Sequence, residues 1–290
     1  MCRHVQRNKG ESAASLSAHD NTSATLQLTE SADFNGRKPP RSLVGYNTCS
    51  ELQASDSVEM YSMLAIPFEG VDGKGISLNS LNFSNPTKNN SSTKADRIML
   101  WVKDEKGIYD YETFYLTKSS GWRNAETMEY VDDEYQNGLP AGTTFWYVSP
   151  AKATAAGTMT TSGAVMGDSY DVKTISRGQY NFVSFPYPVG LKLNDSTMVN
   201  WGNAVKNNGS TKADMIMLWL YNEESKEFDY VTYYLTKSNG WRNATTLEYF
   251  QNEHPNGVTV GTGFWYNAQP STDSDTFDIT FYSPLEKAAE

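Results

Sequence analysis

Cysteine and histidine are nearly absent from this chain, and so is any long apolar run. The two cysteines, Cys2 and Cys49, and the three histidines, His4, His19 and His254, do not make the spaced sets that a zinc site or a disulfide framework needs. Histidine is the usual general base near neutral pH. Two of the three lie close to the N-terminus, so a Ser-His-Asp or Cys-His unit could only be built on His254. No stretch stays apolar over the roughly 20 residues that carry a helix across a bilayer, which excludes a helical membrane span. Basic residues are in deficit. A formal charge of -10 does not supply the clustered Lys and Arg that displace counterions from a phosphate backbone, so nucleic acid is not an expected partner.

What the chain has in excess is itself. The segment Lys94 to Tyr147, KADRIMLWV…YLTKSSGWRNA…GTTFWY, returns at Lys212 to Tyr266 as KADMIMLWL…YLTKSNGWRNA…GTGFWY, roughly 119 residues later. That period is far longer than a solenoid or propeller repeat, and it fits two similar complete domains. We place a polar arm at 1–42, a first module at 43–163, a second at 164–285 and a tail at 286–290.

Abundant Tyr, Trp, Thr, Ser and Asn favour strands and turns over helices. YSMLAIP (Tyr61 to Pro67) and YNFVSFP (Tyr180 to Pro186) read as opening strands, each stopped by a residue that cannot donate to a ladder. Ile98 to Val102 and Ile216 to Leu220 are apolar at every position, which suits strands covered on both faces. Tyr109 to Thr117 alternates, with Tyr109, Tyr111, Thr113 and Tyr115 on one face and Phe114 and Leu116 on the other. Asn137-Gly138 and Asn256-Gly257 supply turns that tolerate positive φ. Thr144 to Val148 and Gly263 to Asn267 read as further strands. Closing strands follow near Thr158 to Val165 and Phe277 to Tyr282. The expected fold class is all-β: two tandem β-sandwich or partly open β-barrel domains behind a flexible N-terminal arm.

The order of these parts, with Gly178-Gln179-Tyr180-Asn181-Phe182-Val183-Ser184-Phe185-Pro186-Tyr187 as one opening and Tyr61 to Phe68 as the other, resembles a repeated all-β module of bacterial exported and cell-surface proteins. The resemblance implies an extracytoplasmic sandwich or barrel and transfers no catalytic residue. Residues 1–30 lack the apolar core of a secretory leader, which leaves two readings, an exported protein whose start is truncated or misassigned and a cytosolic protein with a floppy arm. On style of composition we expect the first, located outside the cell or on its surface.

Several residue sets invite a chemical reading. Trp122, Arg123 and Asn124, with Trp241, Arg242 and Asn243, occupy matching places in the two modules. An exposed indole beside Arg and Asn would make a saccharide platform, giving paired glycan sites. The competing role for Arg123 and Arg242 is to stack on an aromatic ring or pair with Glu129 and Glu248, holding the turn. Trp101, Trp146, Trp219 and Trp265 read as core. Shared carboxylates, Asp96 with Asp214 foremost, would serve a hydrolase only if two converged on one bond, and their position where a strand begins suggests turn or surface roles. Asp132-Asp133-Glu134 and Asp273-Ser274-Asp275 do not match a calcium loop. We therefore expect no catalytic residues, no metal and no cofactor.

In the arm, Thr22 to Thr29 alternates and sets Ala24, Leu26 and Leu28 on one face, a pattern able to add to a neighbour's open sheet edge. The competing reading of this segment is an unpaired stretch or an extra strand within its own module. The expected function is that of a non-catalytic, self-associating surface-layer, fibre or matrix subunit, for which strand addition of this arm is one route to polymerisation. Carbohydrate binding at the paired aromatic sites is the alternative.

Overall fold

A computed structural model describes residues 15–17, 23–25, 45–70, 73–104, 107–119, 121–131, 138–151, 153, 157–222, 225, 227–238 and 240–284. A short antiparallel hairpin, β1 (Ser15–Ser17) and β2 (Ser23–Thr25), comes first. Leu26 and Leu28, the other two arm positions singled out for assembly, lie outside the described residues.

Eight strands follow and form two antiparallel sheets. They are β3 (Gly45–Glu51), β4 (Met60–Ala65), β5 (Asn82–Phe83), β6 (Arg97–Lys103), β7 (Tyr109–Leu116), β8 (Trp122–Asn124), β9 (Thr144–Ser149) and β10 (Thr158–Ala164). One sheet has the order β3-β10-β5, the other β4-β9-β6-β7-β8.

The second half repeats this with β11 (Tyr170–Ser176), β12 (Tyr180–Ser184), β13 (Val199–Asn200), β14 (Met215–Asn222), β15 (Glu227–Leu235), β16 (Trp241–Asn243), β17 (Gly263–Asn267) and β18 (Thr276–Tyr282). Its sheets have the orders β11-β18-β13 and β12-β17-β14-β15-β16. One short helix, α1 (Phe250–Glu253), follows β16. The fold is all-β; among the described residues, besides the β1-β2 hairpin, there are four sheets in two pairs, and none closes into a barrel.

Each half encloses its own core between its three- and five-stranded sheets. Ile98, Leu100, Phe114, Leu116, Phe145 and Tyr147 fill the first, and Ile216, Leu218, Tyr233, Leu235, Phe264 and Tyr266 fill the second. Alternation along β6 and β7 sends these residues inward and sends Met99, Trp101 and Tyr111 to the opposite face.

That opposite face carries the four tryptophans read as core. Trp146 and Trp265 are buried, and with Met63, Val148 and Phe182 they form a third core cluster, against which the half-buried Trp101 and Trp219 pack, joining the five-stranded sheets of the two halves. The contacts are reciprocal: Trp101 meets Trp265 edge-on at 5.5 Å and 90°, and its repeat counterpart Trp219 meets Trp146 at 5.6 Å and 90°. An interface in which each position touches its partner's equivalent is the signature of two-fold packing, here between two halves of one chain.

The axis is marked by unlike residues. A Cβ on Gly263 would lie 1.9 Å from Cγ2 of Thr144, its own counterpart. Only one of the two positions can carry a side chain. Nearby, Phe182 stacks on Trp265 at 4.1 Å where the first half has the thinner Met63. The seam is completed by polar links, Ala65 N–H to the Gly261 carbonyl at 2.7 Å and the Ser184 hydroxyl to the Gly142 carbonyl at 2.9 Å.

Candidate functional site

The duplicated Gly-Trp-Arg-Asn elbow holds six of the residues proposed from sequence, and the structure brings them together in both halves. β8 and β16 pair with the ends of β7 and β15, with Leu116 opposite Trp122 and Leu235 opposite Trp241. That register turns the indoles inward. Trp122 is 2% and Trp241 0% exposed, packed edge-on against Phe83 at 5.6 Å and Trp201 at 4.9 Å. Neither ring presents a face on which a sugar could stack.

The polar members are consumed locally. Asn124 Oδ1 accepts from the N–H groups of Glu126 and Thr127 at 2.8 and 3.1 Å, and Asn243 does the same with Thr245 and Thr246 at identical distances. Such a side chain mimics a backbone turn. Arg123 Nε donates to the Met128 carbonyl and Arg242 Nε to that of Leu247. Each guanidinium also lies over a tyrosine, 5.7 Å from the Tyr130 centroid and 5.8 Å from that of Tyr249, as the stacking role anticipated. Met128 and Leu247 are forced to φ of 66° and 63°, a region costly for side chains with a Cβ, and both remain exposed. The elbow therefore offers solvent an apolar tip over an Arg-Tyr stack.

Asp96 and Asp214 are not on the surface, which corrects their sequence reading. They are 3% and 0% exposed and tie strands together. Asp96 Oδ2 accepts from Thr87 N–H at 2.8 Å and from the Tyr147 hydroxyl. In the second half Asp214 Oδ2 accepts from Val205 N–H at 3.1 Å and the Tyr266 hydroxyl at 2.7 Å, and its Oδ1 accepts from Gln269 N–H at 2.7 Å. The counterpart of Gln269 is Pro150, which has no N–H. Asp96 Oδ1 is accordingly buried with no partner among the described residues. Burial pushes Asp96 up to about 6 against the pull of its bonds to Tyr147 and Thr87. Asp214 is also raised by burial, opposed by the three donors around it and by the charge of Arg177. These carboxylates are deep, separate struts, one per half, and do not converge on a common bond.

Among the described residues one further polar cluster stands in the second half. Tyr233, which replaces Phe114 of the first, places its hydroxyl 2.6 Å from Glu253 Oε2 and 2.9 Å from His254 Nε2. A phenol has one proton. If it goes to the carboxylate, the imidazole is the Nε2–H donor to the phenol oxygen. Glu253 also accepts from Thr246 Oγ1 at 2.7 Å and Asn243 Nδ2 at 3.0 Å. Burial opposes its ionisation, but these donors and His254 outweigh that and hold its pKa low. Burial lowers His254, and Glu253 works against that shift. A carboxylate saturated by donors is a weak base, so the arrangement secures α1 to the elbow. The Phe114/Tyr233 difference in the internal alignment was the available signal for it.

His254 also lines a cleft of about 260 Å³ at the seam between the halves, with Trp219, Phe228, Gln53, Ser62 and Thr259. Asp132 to Glu134 lie outside the described residues, and Asp273 and Asp275 are exposed. Among the described residues no group of three or more His, Cys, Asp or Glu is placed to hold a metal ion. No helix there is long and apolar enough to cross a membrane.

No family model and no curated protein matches the chain. Among solved structures, that of PNGase F, a glycosylasparaginase from Flavobacterium meningosepticum, aligns over 91% of this chain and 96% of its own at 12% identity. Its TM-score is 0.12, too low to support any argument.

Proposed function

We propose that this chain is a non-catalytic structural subunit, a rigid two-module unit that works by assembly outside the cell, as in a surface layer, fibre or matrix. The observation that carries the reading is where the shared polar residues go. Asp96 and Asp214 brace buried strands, Asn124 and Asn243 close turns, and Arg123 and Arg242 clamp carbonyls. Duplicated chemistry of this kind serves shape, and the aromatic seam makes one stiff body of the two halves.

Negative-stain imaging of the purified full chain, beside sizing chromatography over a range of concentrations, tests the reading. Ordered polymers or a concentration-dependent series of oligomers support it. Monodisperse two-lobed monomers at every concentration overturn it.

Carbohydrate binding stays as a second reading because of one observation, the seam cleft. Its lining sets two aromatic side chains beside hydroxyl and amide groups, and Ser50 Oγ within that lining is buried without a partner among the described residues. Glycan-array binding that is lost in Gln53→Ala, with Trp122→Phe and Trp241→Phe still binding, would move the proposed site to the cleft.

A further inference from the structure

The two three-stranded sheets end in equivalent edges that are treated differently. β3 pairs with β10 over Gly45–Glu51 as β11 pairs with β18 over Tyr170–Ser176. The outer hydrogen-bonding side can be read from neighbouring bonds. Leu52 N–H reaches the Gly157 carbonyl across the β3-β10 pair, and Ser283 N–H reaches the Ser169 carbonyl across the β11-β18 pair. Antiparallel residues alternate between their two neighbours. Asn47 and Cys49 of β3, like Val172 and Thr174 of β11, therefore turn their N–H and C=O groups away from the sheet.

β3 and β11 are both end strands with no hydrogen-bonded partner on the outer side among the described strands, but β2 comes close to β3. Cα atoms of β2 and β3 come within 8 Å of each other. β2 therefore lies against β3, with no hydrogen-bonded ladder joining the two. About 19 residues separate Thr25 from Gly45, a connection that can reach about 60 Å when extended. A connection of that length is long enough for the Ser23–Thr25 strand to reach another copy.

β11 is a poor acceptor by its own chemistry. Asp171 and Lys173 alternate with the exposed Tyr170 and Val172 and so turn to the inner face of the edge strand, where burial pushes the carboxyl up and the ammonium down. Charges aimed inward from an edge strand discourage a further strand from pairing there. At the matching places β3 has Tyr46 and Thr48, which are uncharged.

We propose that the outer edge of β3 is the assembly surface of this protein and that its partner is the Ser23–Thr25 strand of a second copy, exchanged for the chain's own. This rests on the assembly reading above and adds where the arm docks. Three full-length variants test it by light scattering across concentrations. Ala24→Pro disables the donor strand. Asn47→Pro removes an outward N–H of β3 without touching the β10 ladder, a place where an edge strand accepts proline. Val172→Pro does the same to β11.

The expected result is that the first two each raise the concentration needed for assembly at least tenfold while the third leaves it unchanged, and that mixing the first two yields a dimer of one chain of each. Assembly that persists in Ala24→Pro or Asn47→Pro overturns the exchange while leaving the structural reading standing. Loss of assembly in Val172→Pro but not in Asn47→Pro overturns the choice of edge. Monomers throughout the wild-type series overturn both. Should Asn47→Pro fail to fold, amide exchange in the wild-type chain decides: protection at Asn47 and Cys49 that rises with concentration supports exchange between copies, and protection independent of concentration overturns it.

Discussion

At the scale of single residues, the duplicated chain provides its own control experiments, and Asp96 is the best of them. Its folded pKa of about 6 lies above the 3.8 of the free group, so the native state holds the proton more tightly than the unfolded chain. Stability from this site is complete below about pH 4 and is lost as pH rises through 6, a swing of about 3 kcal/mol. Pro150→Ala returns the N–H that Gln269 supplies to Asp214 in the second half. We expect the pH at which stability falls to move down in this variant, and the fall to vanish in Asp96→Asn. Urea midpoints from pH 4 to 8, taken as differences from wild type so that other carboxylates cancel, check both. An unchanged profile in Pro150→Ala would mean that the missing donor is not what raises Asp96. Sequence alone placed Asp96 at the start of a strand and so at a turn or surface. Its partner Tyr147 is distant in sequence, and no local pattern reveals a bond of that range.

Among the elements, most strands were legible and their edges were not. β6, β7, β9, β14, β15 and β17 carry dense aromatic and aliphatic side chains, so continuous apolar runs identified β6 and β14 and period-two alternation identified β7. β3 and β11 have fewer such residues and were not assigned as strands, since their strand character comes from pairing with β10 and β18. The Gly-Trp-Arg-Asn elbow was legible as a repeated turn, but not as a buried one. The register of β8 on β7 decides which way Trp122 points. The turn's hidden cost is the positive φ at Met128 and Leu247. Leu247→Gly relieves it at an exposed site, and we expect a gain of up to about 1 kcal/mol, reduced by the extra freedom glycine brings to the unfolded chain. Chemical denaturation checks this. A loss would show that the leucine side chain contributes packing that its exposure does not suggest.

For the molecule as a whole, the repeat disclosed two modules, and the apolar strands around Trp101 and Trp219 disclosed that both of their faces are covered. What covers the second face was not written in either strand, because that face meets the other half of the same chain. The unlike pair Thr144 and Gly263 carries the most direct test of this seam. Gly263→Thr sets two threonines at one point on the axis, where a single Cβ already falls 1.9 Å from Thr144 Cγ2. Overpacking of this kind costs about 1 to 3 kcal/mol, and we expect it to open the seam as well as weaken the fold. Thr144→Gly should cost less, since it leaves room without a clash. Exchanging the two residues in a Thr144→Gly, Gly263→Thr double variant restores one side chain and one gap across a pseudo-two-fold axis. Its stability should return to within about 1 kcal/mol of wild type, a coupling far from additive. Denaturation midpoints, with tryptophan fluorescence reporting on Trp101, Trp146, Trp219 and Trp265, give the cycle. Additive losses would mean that the two halves do not meet at these positions. Recovery would establish that the seam is self-complementary, so that one strand position on either half can fill the same space.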